Sequence, residues 1–148
     1  MIRIGSGANI RLKAYTEFLG AVREYVAFTL NPDARITAVP RPRDPGDLMP
    51  SFDSEGAPYR ERLESTKTAP RLVAGRPELV RESSALVRQA RLLASARAGT
   101  TVDAMPSERF DALWQAERQF IDAARAELSL PSAFTAAGPG LSDAAAVA

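Results

Sequence analysis

In FDALWQAERQFIDAARAEL, residues 110–128, a carboxylate stands where helical spacing calls for an apolar side chain. At about 100° per residue, Phe110, Leu113, Trp114, Ile121, Ala124 and Leu128 gather on one side, with Glu117 near their centre. A carboxylate so placed is costly to bury unless it is paired or protonated. Two chemistries follow: a perturbed acid in a ligand cleft, or a polar pair that fixes helix register. Arg11 and Arg97 lie on the apolar sides of their own helices, and Tyr15 or Tyr25 offers a hydroxyl, so partners exist and the structural pair is the favoured reading.

The remaining inventory excludes more than it suggests. The 148 residues contain no histidine and no cysteine, which removes the usual general base, the commonest metal ligand, thiolate nucleophiles and disulfides. ESTK, residues 64–67, lacks the Ser-x-x-Lys spacing that puts nucleophile and base on one face. Glu17, Glu24 and Glu117 could hold a hard cation, but the helical Glu-x-x-His di-iron pattern is unavailable. IGSGANI sets Gly5 and Gly7 ahead of a helix without the strand or third glycine of a dinucleotide fingerprint, and without the Gly-Lys-Ser/Thr of a P-loop. These observations predict no catalytic residues, no cofactor and no metal.

Two basic groups are candidates for contact. Arg81, Arg88 and Arg91 share a helical face away from the apolar stripe, an anion-facing surface with no aromatic between them for base stacking. Arg41 and Arg43 flank Pro42-x-x-Pro45 and are the charged contacts of a proline-rich segment. With a formal net charge of +1, no global signal favours nucleic acid or an anionic membrane, so a nucleic-acid or membrane-surface role for the Arg81/Arg88/Arg91 face ranks as an alternative, beside a small-ligand cleft around Glu117.

Four helical segments must position these residues. The first, Asn9 to Leu30, places Tyr15, Phe18, Leu19, Val22, Tyr25 and Val26 on one side, with Asn9 as cap and Asn31-Pro32 as stop. Residues 31–57, with prolines at 32, 40, 42, 45 and 50, read as a long irregular loop, because proline denies both a continuous helix and a central strand. YRERLESTKTA forms a weakly amphipathic second helix ending near Pro70, or kinking on through Leu72 and Val73. The third opens on Pro77 and leaves at Gly99, with Leu79, Val80, Ser83, Leu86, Val87, Ala90, Leu93 and Ala94 as its stripe. The fourth runs from about Ser107 to Leu128, and residues 131–148 have little to bury except Phe134, as expected of a disordered tail.

This pattern predicts an all-α fold: an antiparallel bundle of three long helices plus one shorter or kinked helix, in one domain over residues 1–130. Phe18, Tyr25, Phe110 and Trp114 are its expected core or interface anchors. LKAYTEFLGAVREYV, RLVAGRPELVRESSALVRQARLL and FIDAARAEL, in that order, resemble a loose group of small all-helical proteins common in actinobacteria. The resemblance covers about half the chain and rests on packing patterns, so it implies a helical fold and no active site. Members of that group often carry an upstream hydrophobic tether; here no apolar run of membrane length and no signal-peptide core is visible, and the expected location is cytoplasmic. The expected function is a non-enzymatic interaction or structural module that meets a protein partner or a second copy of itself.

Overall fold

The computed structural model describes residues 6–130; Gly5, Phe134 and the expected tail 131–148 lie outside the described residues. Helix α1 spans Ser6–Thr29. It starts three residues before Asn9, so Asn9 and Gly7 sit inside the helix rather than as cap and lead-in. Its inward face, Ala14, Tyr15, Phe18, Ala21, Val22 and Tyr25, is buried, and Phe18 and Tyr25 are core residues as expected. Thr29 closes that face, with Oγ1 donating to the Tyr25 carbonyl at 2.9 Å so that no hydroxyl is buried unpaired.

The segment read as an irregular loop is instead a β-hairpin. Strands β1, Ile36–Arg41, and β2, Asp44–Phe52, pair antiparallel around a turn at Pro42-Arg43. Partners run Ile36 with Phe52, Ala38 with Pro50 and Pro40 with Leu48, before a register shift at Pro40/Arg41. Opposed residues in an antiparallel pair alternate between hydrogen-bonded and non-hydrogen-bonded sites, and Pro40 and Pro50 fall on the same class. In a sheet of two strands both strands are edges, where proline is tolerated and discourages further pairing. The fold is therefore mostly helical with a small sheet, rather than all-α.

Aromatic contacts anchor the hairpin. Phe52 stacks on Tyr25 with ring centroids 4.8 Å apart and meets Phe28 at 5.2 Å, and Phe28 stacks in turn on Tyr59 at 5.2 Å. Between these rings passes Gly56, where a β-carbon would lie 2.5 Å from Phe28 Cε2 and 2.8 Å from Phe52 Cβ. Gly56→Ala is expected to cost about 1–3 kcal/mol by overpacking, read as a lower denaturant midpoint with unchanged slope. A variant as stable as the parent would show that this junction is loose.

Helices α2, Ala57–Thr66, and α3, Thr68–Val73, are separated at Lys67, and no described helix is long and apolar enough to cross a membrane. Helix α4, Pro77–Ala98, begins on its proline, is followed by Gly99, and buries every residue of the expected stripe except the half-buried Val80. Helix α5, Ser107–Glu127, packs along α4, while α1 crosses α2, α3 and α4. The inward face of α5 is Leu113, Ala116, Phe120 and Ala124. Phe120, 1% exposed, meets Phe18 at 5.1 Å and Tyr15 at 6.2 Å, both edge to face. Trp114 is not in the core: it is 54% exposed, with Phe110 half-buried at its side.

Candidate functional site

That rotation of α5 decides the position of Glu117. It lies at the rim of the α1–α4–α5 interface, its side chain 24% exposed, and Arg23 Nε donates to its Oε1 at 2.7 Å. Arg23 is 62% exposed, so the pair is a surface one of modest value rather than a buried acid awaiting a ligand. The gap beside it, about 150 Å³ and lined by Val22, Val26, Leu86, Leu113 and Trp114, is a notch rather than a cleft. Arg11, Arg97, Tyr15 and Tyr25 all have other roles.

The carboxylate that ties distant segments together is Glu127. Its Oε1 accepts the backbone N–H groups of Gly75 at 2.6 Å and Arg76 at 2.9 Å, just ahead of α4, and its Oε2 accepts the Tyr15 hydroxyl. A negative group there meets the positive end of the α4 dipole and fills orphan donors that no local side chain caps. Arg11 Nε donates to the Val73 carbonyl at 3.0 Å, at the end of α3. Burial first, and then the bond to Glu127, push the Tyr15 hydroxyl well above the usual phenol range, so it serves as a donor and not as a base. The cluster binds α1, α3, α4 and α5 at one corner.

The sequence-predicted arginines separate into two places. Arg88, Arg91 and Arg41 line a groove of about 670 Å³ between β2, α3 and α4, where Lys67 and Arg71 join them. Arg81 does not reach it: two turns back along α4, it lies beside Glu82 at 3.6 Å and faces a different gap, toward Gln119 and Asp122 of α5. Arg43 is exposed in the hairpin turn.

Pairing within the groove is uneven. Glu64 takes both Lys67 Nζ, at 2.6 Å, and Arg91 Nη2. Burial alone would raise the Glu64 carboxyl, but the hydrogen bond from Lys67 and the charge of Arg91 outweigh it and hold the group below the usual glutamate range. Arg41 Nε lies 2.7 Å from Asp47 Oδ2, yet that buried N–H makes no aligned hydrogen bond. Arg71 Nη2 reaches only the Ser84 hydroxyl, at 3.3 Å, and no partner is seen for Arg88 among the described residues. A smaller recess of about 160 Å³ opens from the same place, sharing Arg41, Pro50 and Arg91 and backed by Tyr25, whose hydroxyl burial pushes up. Lys67, Arg71 and the hairpin wall were not singled out in the sequence, because nothing local joins segments 41–50, 67–71 and 84–92.

Comparison with known protein families, curated proteins and solved structures finds no match.

Proposed function

We propose that this chain is a non-enzymatic helical interaction module, cytoplasmic and of the same kind as the small actinobacterial proteins whose packing patterns it resembles. It acts through protein–protein contact at the α5 face that carries Trp114, and its first partner is a second copy of itself. One observation carries the reading: the only tryptophan in the chain stands 54% exposed instead of completing the core. Tryptophan is among the commonest binding hot spots, because covering its large surface contributes strongly to association. Phe110 extends the patch at a centroid distance of 6.0 Å, the apolar notch below offers a socket, and the Arg23–Glu117 pair supplies a polar rim. In a two-fold dimer the same patch on each copy would meet its counterpart. The lack of histidine and cysteine supports a binding role over catalysis.

Because Trp114 is the sole indole, the protein reports on its own interface. On raising concentration from nanomolar to hundreds of micromolar, the light-scattering mass is expected to rise from 15.9 kDa toward that of a dimer. The indole emission is expected to move to shorter wavelength over the same range. Trp114→Ala should remain at 15.9 kDa with its helical content intact. A parent chain that stays monomeric with unshifted emission throughout would end the proposal.

A further inference from the structure

We infer that the groove between the hairpin and α4 is a binding site for a phosphorylated small molecule, with Arg71, Arg88 and Ser84 taking the phosphate and the hairpin wall taking the organic part. This is independent of the Trp114 patch. It starts from charge: Arg41, Lys67, Arg71, Arg88 and Arg91 line the groove with Asp44 and Asp47, and the adjoining recess adds Arg60 and Glu64, six cations against three anions. The excess belongs to identifiable groups. Glu64 is shared by Lys67 and Arg91, and Asp47 stands beside Arg41, which leaves the guanidinium groups of Arg71 and Arg88 without a carboxylate. Two guanidinium forks flanking a serine hydroxyl form a donor set suited to the tetrahedral oxygens of a phosphate.

Geometry sets the size of the ligand. Ser84, Arg88 and Arg91 rise along one face of α4 at helical spacing, so this row of polar donors is about 10 Å long, enough for one phosphate or two linked ones. A groove of about 670 Å³ falls within the usual range for small-molecule sites. Leu48 and Pro50 on the hairpin face Val87 and Leu92 on α4 and give the site apolar walls. Asp44 and Asp47 on the hairpin side argue against a long polyanion, which they would repel along its length, and in favour of a compact ligand whose hydroxyl or amino groups they can bind.

The test is calorimetric titration of the full chain at low salt with ADP, inorganic pyrophosphate, inorganic phosphate and a single-stranded oligonucleotide. Thermal melts of each variant serve as the control for folding. ADP is expected to bind with a dissociation constant in the micromolar to low millimolar range. Arg88→Ala and Arg71→Ala are each expected to weaken it by roughly tenfold or more, with melting temperatures near that of the parent, since neither side chain holds a carboxylate. Trp114→Ala should bind as the parent does. ADP tighter than pyrophosphate assigns part of the affinity to the apolar walls, whereas equal affinities would overturn the assignment of the organic part to the hairpin wall. No heat with ADP, pyrophosphate or phosphate at millimolar concentration would overturn it. So would binding that Arg71→Ala and Arg88→Ala leave unchanged, or binding confined to the oligonucleotide.

Discussion

Phe120→Ala is expected to destabilise the protein by about 3–5 kcal/mol, while Trp114→Ala, six residues away on the same helix, costs less than about 1 kcal/mol. The two rings are both large, so side-chain size does not separate them. Phe120 is 1% exposed and packs edge to face against Phe18 and Tyr15, and its truncation leaves a cavity among helices that are held at both ends. Trp114 is 54% exposed and has Phe110 as its ring neighbour within the chain. Against a total stability of about 5–15 kcal/mol the first change consumes a large share, and should lower the melting temperature by roughly 10 °C or more. Chemical denaturation followed by circular dichroism checks both, at concentrations where the parent is monomeric. Equal losses, or a larger loss for Trp114→Ala, would mean that α5 is turned by one residue position, with the indole inward and Phe120 out.

That one-position rotation separates what was legible in the sequence from what was not. Helix α4 could be read almost to the residue, because Pro77 and Gly99 mark its ends and its apolar stripe is continuous. On α5 two overlapping stripes compete at neighbouring angles: Phe110, Leu113, Trp114, Ile121, Ala124 and Leu128 on one, Leu113, Ala116, Phe120 and Ala124 on the other. Weighting by bulk selects the first and places Glu117 at its centre. Packing selects the second, because Ala116 and Ala124 let α5 approach its neighbours closely enough for Phe120 to reach Phe18. The hairpin was hidden for a different reason. Its prolines exclude a central strand, and that inference stands, but alternate prolines remain compatible with a two-stranded ribbon that has only edges.

Candidate sites divide along the same line. Arg88 and Arg91 are three residues apart on one helix, so their proximity follows from local geometry, and Arg41 stands out in the sequence by its flanking prolines. Their meeting depends on the hairpin folding back over α4, a contact that no spacing encodes. Glu127 was visible only as part of a closing helix pattern, since its donors lie at Gly75, Arg76 and Tyr15, between 51 and 112 residues away. A carboxylate on an apolar face was a sound signal of a polar junction between helices. Glu117 makes such a junction with Arg23 of α1, and Glu127, one helix end further on, makes the larger one.

Arg97 shows how such a junction works when no carboxylate takes part, and Arg97→Leu is expected to cost about 1–3 kcal/mol. The side chain is 8% exposed near the end of α4. Its Nη1 donates to the Thr100 carbonyl at 2.9 Å, and its Nη2 to the Asn31 and Pro32 carbonyls at 3.1 and 3.2 Å, so one guanidinium closes α4 and catches the chain as it leaves α1. Both are helix C-terminal regions, where carbonyl groups lack intrahelical donors and the dipole is negative, which is why a buried cation is tolerated there without an anion. Leucine fills the space but takes the donor from the Thr100 and Pro32 carbonyls, while the Asn31 carbonyl keeps only the Ala34 N–H at 3.0 Å. Arg97→Lys keeps the charge yet cannot fork between two chain segments, and is expected to recover about half the loss. Because no exposed ion pair is involved, the cost of Arg97→Leu should be the same in low salt and in about 1 M salt, where surface pairs are screened within about 3 Å. Equilibrium unfolding in the two salts measures this. A cost that vanishes at high salt would assign Arg97 to surface electrostatics, and a lysine variant as stable as the parent would show that charge alone suffices and the fork is dispensable.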